Sequence, residues 1–407
     1  MTKKASTFRG NFFALHPHAR YLPDEDRYIY APEMPKYKFN VIGTGMNGQE
    51  HIRVTLLEGR ATIHGVYDTN ARSVAQAQQV YGKFALDGAP ALVVYDSLEA
   101  AYTDPAVDGL IISTPNYTHI DMVRAAAKSG KHILLEKPMA TTIPDAYEIL
   151  QVAQNHEAVF QVGLQYRYKA IYVEAIHEAL TRKSIGEIKR ISIQEHRILF
   201  FDKVKQWNKF FKFSGGTLVE KCCHYFDLFN LFAQSRPVSV YAVGSAAVNF
   251  RDFEYEGERS DILDNAFVIV TYENGIQAHF DLCMFAPGFY EELILCGDQG
   301  RLKAFERQDF LPAPRAETQL EILRGMDQPS RISTPAYPTF IKEAGHSGST
   351  FFEHINFVDN IEGRETNAAT AEEGFWSIVV GAAAEMSVAK GAPVLIDEIL
   401  EEAGIAL

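Results

Sequence analysis

An apolar run that opens into three glycines, Phe39-Asn40-Val41-Ile42-Gly43-Thr44-Gly45-Met46-Asn47-Gly48, constrains this chain more than any other stretch. The apolar residues predict a buried strand, and the glycine spacing predicts a tight turn into a helix beginning near Met46. Gly43 would permit the turn, Gly45 would let the backbone approach a pyrophosphate, and Gly48 would let the helix lie close against the strand. Such a helix start directs free N–H groups and a positive dipole end at phosphate.

Three spaced glycines recur by chance, so the surrounding sequence must carry the reading. Ala61 to Asp68 predicts a second strand ending in a carboxylate, and Asp68 stands twenty residues beyond Gly48. An acid that bonds the adenosine ribose belongs there, and it favours NAD over NADP because a 2′-phosphate would meet a carboxylate. Arg72 softens that preference, so NADP stays possible. Capping of a helix starting near Asn70 is the plainer role for Asp68.

From Lys36 to Val162 short apolar runs alternate with helical periodicity, which implies a mostly parallel sheet covered on both faces. Ligands of such sheets gather at the carboxyl ends of the strands. Those ends carry the glycine turn, Asp68, Thr114-Pro115-Asn116 and Glu136-Lys137-Pro138. Beyond Gly163 the rhythm changes to runs joined by short turns, with Glu273-Asn274-Gly275 as a hairpin signal. An α+β domain with a mainly antiparallel open sheet follows from this. The stretch Arg307 to Pro338 reads as Pro-rich and irregular, with helices resuming near Thr350 and Ala369. The expected organisation is an arm over 1–36, a Rossmann dinucleotide-binding domain over 37–163, and a substrate-binding and oligomerisation domain over 164–407, because 407 residues exceed what one core usually organises.

The formal net charge of −13 argues against nucleic-acid or anionic-membrane partners, which need basic patches. No apolar run is long enough to span a bilayer and Met1 to Ser6 lacks an apolar signal core, so a cytoplasmic protein is expected. Cys222, Cys223, Cys283 and Cys296 show no disulfide spacing. Cys222-Cys223-His224 has no companion ligand motif, so no metal is expected.

Two further groups suit chemistry. Lys137, just past a strand on the ligand-binding edge, could donate to a substrate oxygen. Read as one helix entered through Gly215-Gly216, the segment Thr217 to Asp227 puts Glu220, His224 and Asp227 on one face, where a carboxylate could hold the imidazole. His224 would exchange a proton with an alcohol or carbonyl near neutral pH. Lys221 points away from that face, either as a substrate ligand or as a solvated lysine. Lys205 to Phe213 mixes cations with aromatics and reads as a surface or subunit-contact loop, or else as a substrate wall in which Trp207 packs on a ring.

Together these pieces resemble the Gfo/Idh/MocA family of NAD(P)-dependent sugar and inositol oxidoreductases, over roughly residues 37 to 390. The resemblance rests on Val41 to Gly48, Asp68, Thr114-Pro115-Asn116 with His119, Glu136-Lys137-Pro138, Gln165 to Tyr168, the Gly-Gly segment ending in His224, and His346 to Ser349. It implies that Lys137, Glu220 and His224 occupy catalytic positions. It also implies that Gly43, Gly45, Met46, Asn47, Gly48, Asp68, Thr114, Pro115, Asn116, His119, Glu136 and Lys137 line the cofactor. Arg167 and Tyr168 fall where relatives bring side chains toward substrate. Glu220 stands where the family more often has aspartate, which alters how the acid meets His224 or substrate. The implied activity is hydride transfer between nicotinamide and a carbinol carbon of a sugar, polyol or inositol-like substrate, in a homodimer or homotetramer. An NAD-dependent glycosidase using transient oxidation, and a non-catalytic cofactor-sensing regulator, are the alternatives.

Overall fold

The computed structural model describes residues 34–406 apart from 87, 313, 314 and 343. Most of the expected arm, 1–33, therefore lies outside the described residues. The described residues form two compact units, one of 34–136, Gln151–Gly163 and Pro338–Ala371, the other of Lys137–Leu150, Leu164–Tyr337 and 372–406.

In the first unit, strands β1 (Tyr37–Ile42), β2 (Ala61–Tyr67), β3 (Val93–Val94), β4 (Gly109–Ile112), β5 (His132–Glu136) and β6 (Phe160–Gly163) form one parallel sheet in the order β3-β2-β1-β4-β5-β6. The order reverses beside β1, which is the arrangement of a dinucleotide-binding sheet. Strands buried on both faces read as continuous apolar runs, and β4 is buried along its whole length. Helix α1 (Met46–Glu58) follows β1, and helix α2 (Ala71–Phe84) is capped by the Asn70 side chain, which accepts from the N–H groups of Arg72 and Ser73.

The segment Pro338–Ala371 belongs to this unit although it follows the second sheet in the chain. Its helix α3 (Ser349–Ile361) supplies Phe357 and Val358 to the core beneath β1, with the Phe39 and Phe357 rings 5.3 Å apart. Arg60 ties the helix down by ion pairs to Asp359 at 2.5 Å and Glu362 at 3.2 Å.

The second unit is built on a nine-stranded sheet. Its strands are β7 (Ile188–His196), β8 (Pro237–Ser245), β9 (Asn265–Tyr272), β10 (Gln277–Cys283), β11 (Phe289–Gly297), β12 (Gly300–Gln308), β13 (Ala316–Arg324), β14 (Arg331–Ser333) and β15 (Val394–Leu395), in the order β14-β13-β12-β11-β7-β10-β9-β8-β15. Every pairing is antiparallel except β10 with β7. The expected hairpin at Glu273 to Gly275 joins β9 to β10, with Gly275 at φ +85°.

One expectation is overturned here. Strands β13 and β14 occupy the stretch read as irregular, because its prolines flank the strands and the short alternation of Leu320 and Ile322 is buried while their neighbours are not. No helix among the described residues is long and apolar enough to cross a membrane.

Candidate active site

The glycine turn is held by close approaches that admit no side chain. A Cβ on Gly43, at φ +89°, would lie 2.5 Å from the Ser113 carbonyl oxygen, and one on Gly48 would lie 2.0 Å from that of Gly43. Gly45 differs, since its Cβ would meet nothing within 4 Å. An open cradle at the start of α1, with no acidic residue in the first turn, fits a pyrophosphate received by the N–H groups of Met46, Asn47 and Gly48.

Asp68, just past β2, accepts from the Thr44 N–H at 2.7 Å and its hydroxyl at 3.0 Å, both on Oδ2, while Oδ1 accepts from the Asn70 N–H. It ties the glycine turn to the second strand, and Asn70 itself caps α2. Past β4, Thr114 and Pro115 are half-buried and Asn116 is buried. His119 is fully buried with Nε2 3.0 Å from the Thr114 carbonyl oxygen, so its ring braces that loop.

Glu136, at the end of β5, enters a network that sequence reading missed. Its Oε1 lies 2.9 Å from His51 Nε2, His51 Nδ1 lies 2.8 Å from His354 Nε2, and His354 Nδ1 lies 3.1 Å from Thr55 Oγ1. Burial, with His51 beside it, pushes the His354 imidazole well below its usual range. Burial also lifts the Glu353 carboxyl well above its own, with Glu136 and Glu50 adding to it. His51, Glu353 and His354 bring three possible ligand atoms within 4.8 Å of one another, although the two imidazoles already bond each other. His51 follows Gly48 by three residues, one helical turn, and that spacing was the available signal.

In the second unit, the half-buried Lys137 donates from Nζ to the Glu220 carbonyl oxygen at 3.4 Å. Gly215 and Gly216, at φ +75° and +91°, lead into the segment that carries Glu220 and His224. A Cβ on Gly215 would lie 2.5 Å from the Thr141 carbonyl oxygen, and one on Gly216 would lie 2.3 Å from the Glu385 carboxylate. Glu385 Oε1 also accepts from the Leu218 N–H at 2.8 Å. No sequence signal marked Glu385, which lies in the helix Ala371–Lys390.

The single helix expected over Thr217 to Asp227 does not form. A four-residue turn, Thr217–Glu220, ends at Lys221 and Cys222, and helix α4 (Cys223–Ala233) starts afresh. Glu220, His224 and Asp227 therefore do not share one helical face. Among the described residues the Glu220 carboxylate has no hydrogen-bond partner. Asp227 serves Arg167 instead, whose Nε and Nη2 reach its two oxygens at 3.1 and 2.5 Å, with Glu373 at 3.0 Å. Burial pushes the Asp227 carboxyl up to about 6 against the pull of that guanidinium.

His224 stacks face to face on Tyr166, with centroids 4.0 Å apart and planes 5° from parallel. Lys221 is not a solvated lysine. It is 6% exposed, 2.9 Å from Glu195 Oε1, with its ammonium over the rings of Tyr166 and Tyr225. Burial works against that charge, yet Glu195 lifts Lys221 above the usual lysine range. Tyr168 is buried, and its carbonyl accepts from the Tyr337 hydroxyl at 2.7 Å. Trp207 is half-buried in the turn Val204–Lys209. Cys222 and Cys223 are buried free thiols, and burial pushes Cys223 up to about 12, so neither is a ready nucleophile.

The sequence matches two family models. One, described as oxidoreductase family, NAD-binding Rossmann fold, covers residues 37–164, and the other, its C-terminal alpha/beta domain, covers 177–396. Myo-inositol 2-dehydrogenase of Thermotoga maritima is 23% identical over 89% of this chain and 99% of its own. The 1,5-anhydro-D-fructose reductase of Ensifer adhaerens is 25% identical over 72% of this chain and 81% of its own. Among solved structures, levoglucosan dehydrogenase in complex with NADH superposes with a TM-score of 0.73 at 18% identity, over 88% of this chain and 99% of that one.

Proposed function

Because this chain belongs to the Gfo/Idh/MocA oxidoreductase family, we propose that it is an NAD-dependent dehydrogenase or reductase acting on a carbinol carbon of a sugar, polyol or inositol-like substrate. The observation that carries this reading is His224, stacked on Tyr166 in the same unit as the Lys137 ammonium and the Glu220 carboxylate. A dehydrogenase needs a group to exchange the hydroxyl proton and a cation to stabilise the alkoxide. The relatives' names, an inositol dehydrogenase and an anhydrofructose reductase, support the same substrate class.

Bound nicotinamide would supply or accept the hydride. The Gly43 to Gly48 turn would hold the pyrophosphate, and Asp68 the adenosine ribose. Thr114, Pro115 and Asn116 would line the nicotinamide ribose, with His119 and Glu136 beside them. His224 would take the hydroxyl proton on an imidazole nitrogen during oxidation and return it during reduction. Lys137 would hold the developing alkoxide, and Glu220 would hydrogen bond a neighbouring hydroxyl or orient the site. Arg167, Tyr168 and Lys221 support this site from within the fold, while Trp207 would flank the substrate. We place the enzyme in the cytoplasm, where its free thiols stay reduced. We further propose a homodimer or homotetramer built on the outer face of the nine-stranded sheet.

The test is nicotinamide absorbance of the purified protein with NAD or NADP, and with their reduced forms, across polyols, aldoses, ketoses and aryl glycosides. Stoichiometric cofactor turnover with one hydroxylated or carbonyl substrate group is expected. Lys137→Ala and His224→Ala should each lower kcat by roughly 10²- to 10⁴-fold, and His224→Ala should leave NAD affinity unchanged. Sugar release from a glycoside with no net cofactor change would overturn the reading.

A further inference from the structure

We propose that Lys221 and Glu195 are positioning residues that set the protonation range of His224, acting through the ring of Tyr166 on which its imidazole is stacked. The role of His224 as proton carrier rests on the reading above. Its coupling to the buried charges rests on geometry.

Imidazole and phenol lie face to face at 4.0 Å. The same phenol has two ammonium groups against it, Lys169 Nζ at 4.7 Å and Lys221 Nζ at 5.2 Å from the ring centroid. Lys221 also reaches the Tyr166 hydroxyl at 3.4 Å. Each cation has carboxylate partners. Lys169 pairs with Glu291 and Glu306, and Lys221 pairs with Glu195, which in turn meets Arg197 at 3.3 Å. Three cations thus stand against three carboxylates, and two of the cations, Lys169 and Lys221, lie against one aromatic ring. Among the described residues, the charged and titratable groups on the elements that carry or contact His224 include Lys137, Glu220, Lys221 and Cys223 along its own approach, Asp227 one turn on in α4 with its partner Arg167, Tyr166 and Lys169, Glu195 and Arg197 from β7, and Tyr225.

Buried ion pairs contribute little net stability, because desolvation offsets most of their attraction. This one is also incompletely satisfied, since Glu195 is fully buried and its Oε2 has no hydrogen-bond partner among the described residues. Packing therefore does not explain a ladder of charges at this position, whereas electrostatic tuning does. A cation against the phenol disfavours imidazolium and keeps His224 ready to accept a proton. A carboxylate there does the opposite. Lys221 Nζ lies at most roughly 9 Å from the imidazole centre, taking the two ring distances end to end. A unit charge at that range, under an effective dielectric constant of about 20, moves a titration midpoint by about 1 pH unit.

Histidine-labelled protein is titrated by NMR, with the His224 signal assigned through His224→Asn. Lys221→Met should raise the His224 midpoint by about 1 unit, and Glu195→Gln should lower it by a similar amount. The double variant should return near the native value, and Lys221→Arg should keep it. The acid limb of kcat/KM should move with the midpoint. Shifts of the same sign, or none in either variant, would overturn the proposal, because a merely structural role would not invert with charge. Should Lys221→Met fail to fold, Glu195→Gln alone decides, an unchanged or raised midpoint overturning it. Opposite shifts in a protein silent toward every sugar and polyol would keep the coupling and remove the dehydrogenase reading. Turnover with an unmoved midpoint would do the reverse.

Discussion

Two glycines of the same turn separate folding from binding. Gly48 has the Gly43 carbonyl oxygen where its Cβ would be, whereas Gly45 has open space. Gly48→Ala should therefore lower thermal stability outright. Gly45→Ala should leave the melting temperature of the free protein unchanged and weaken NAD binding by about tenfold or more, as read by calorimetry, because its Cβ would occupy the phosphate's place. Identity alone made Gly43 and Gly48 legible, since the backbone there leaves no room for a side chain, and Asp68 was legible from its place at the end of the second strand. Lys221 and Asp227 were not legible. Their partners, Glu195 and Arg167, lie 26 and 60 positions away in the sequence, and no local spacing reports a contact made through the fold.

At the scale of elements, the break between Thr217–Glu220 and α4 shows how a long-range contact shapes a local one. Glu385 holds the Leu218 N–H and crowds Gly216, fixing the turn that leads to Glu220 and His224. Burial lifts its carboxyl to about 7, while the Leu218 N–H draws it back. A carboxyl whose native value exceeds its unfolded value binds more protons when folded, so it erodes stability as pH rises from about 4.5 to about 7. Glu385→Gln keeps the acceptor and removes the charge. Urea unfolding should show it unchanged near pH 4 and more stable by on the order of 2–3 kcal/mol near pH 8. Gly216→Ala should destabilise at both pH values, because the clash is steric.

Over the whole molecule, the outer face of the nine-stranded sheet leaves Tyr241, Val243, Phe267 and Ile269 exposed, with Tyr241 beside Ile269 and Val243 beside Phe267 in register. Apolar cross-strand pairs of this kind suit burial against a second copy. Phe267→Asp with Ile269→Asp should shift the protein to monomer in light scattering while leaving NAD affinity intact. An unchanged mass would remove this face from the assembly. The parallel sheet and the glycine turn followed from sequence by itself, because they rest on local periodicity and on backbone conformations few residues can adopt. What tertiary structure alone decided was the return of Pro338–Ala371 to the first unit, the strand formed by Ala316–Arg324, and the stacking of His224 on Tyr166 over buried charge. Each depends on pairings between residues far apart in the chain, whose energies come from burial and geometry that no local pattern encodes.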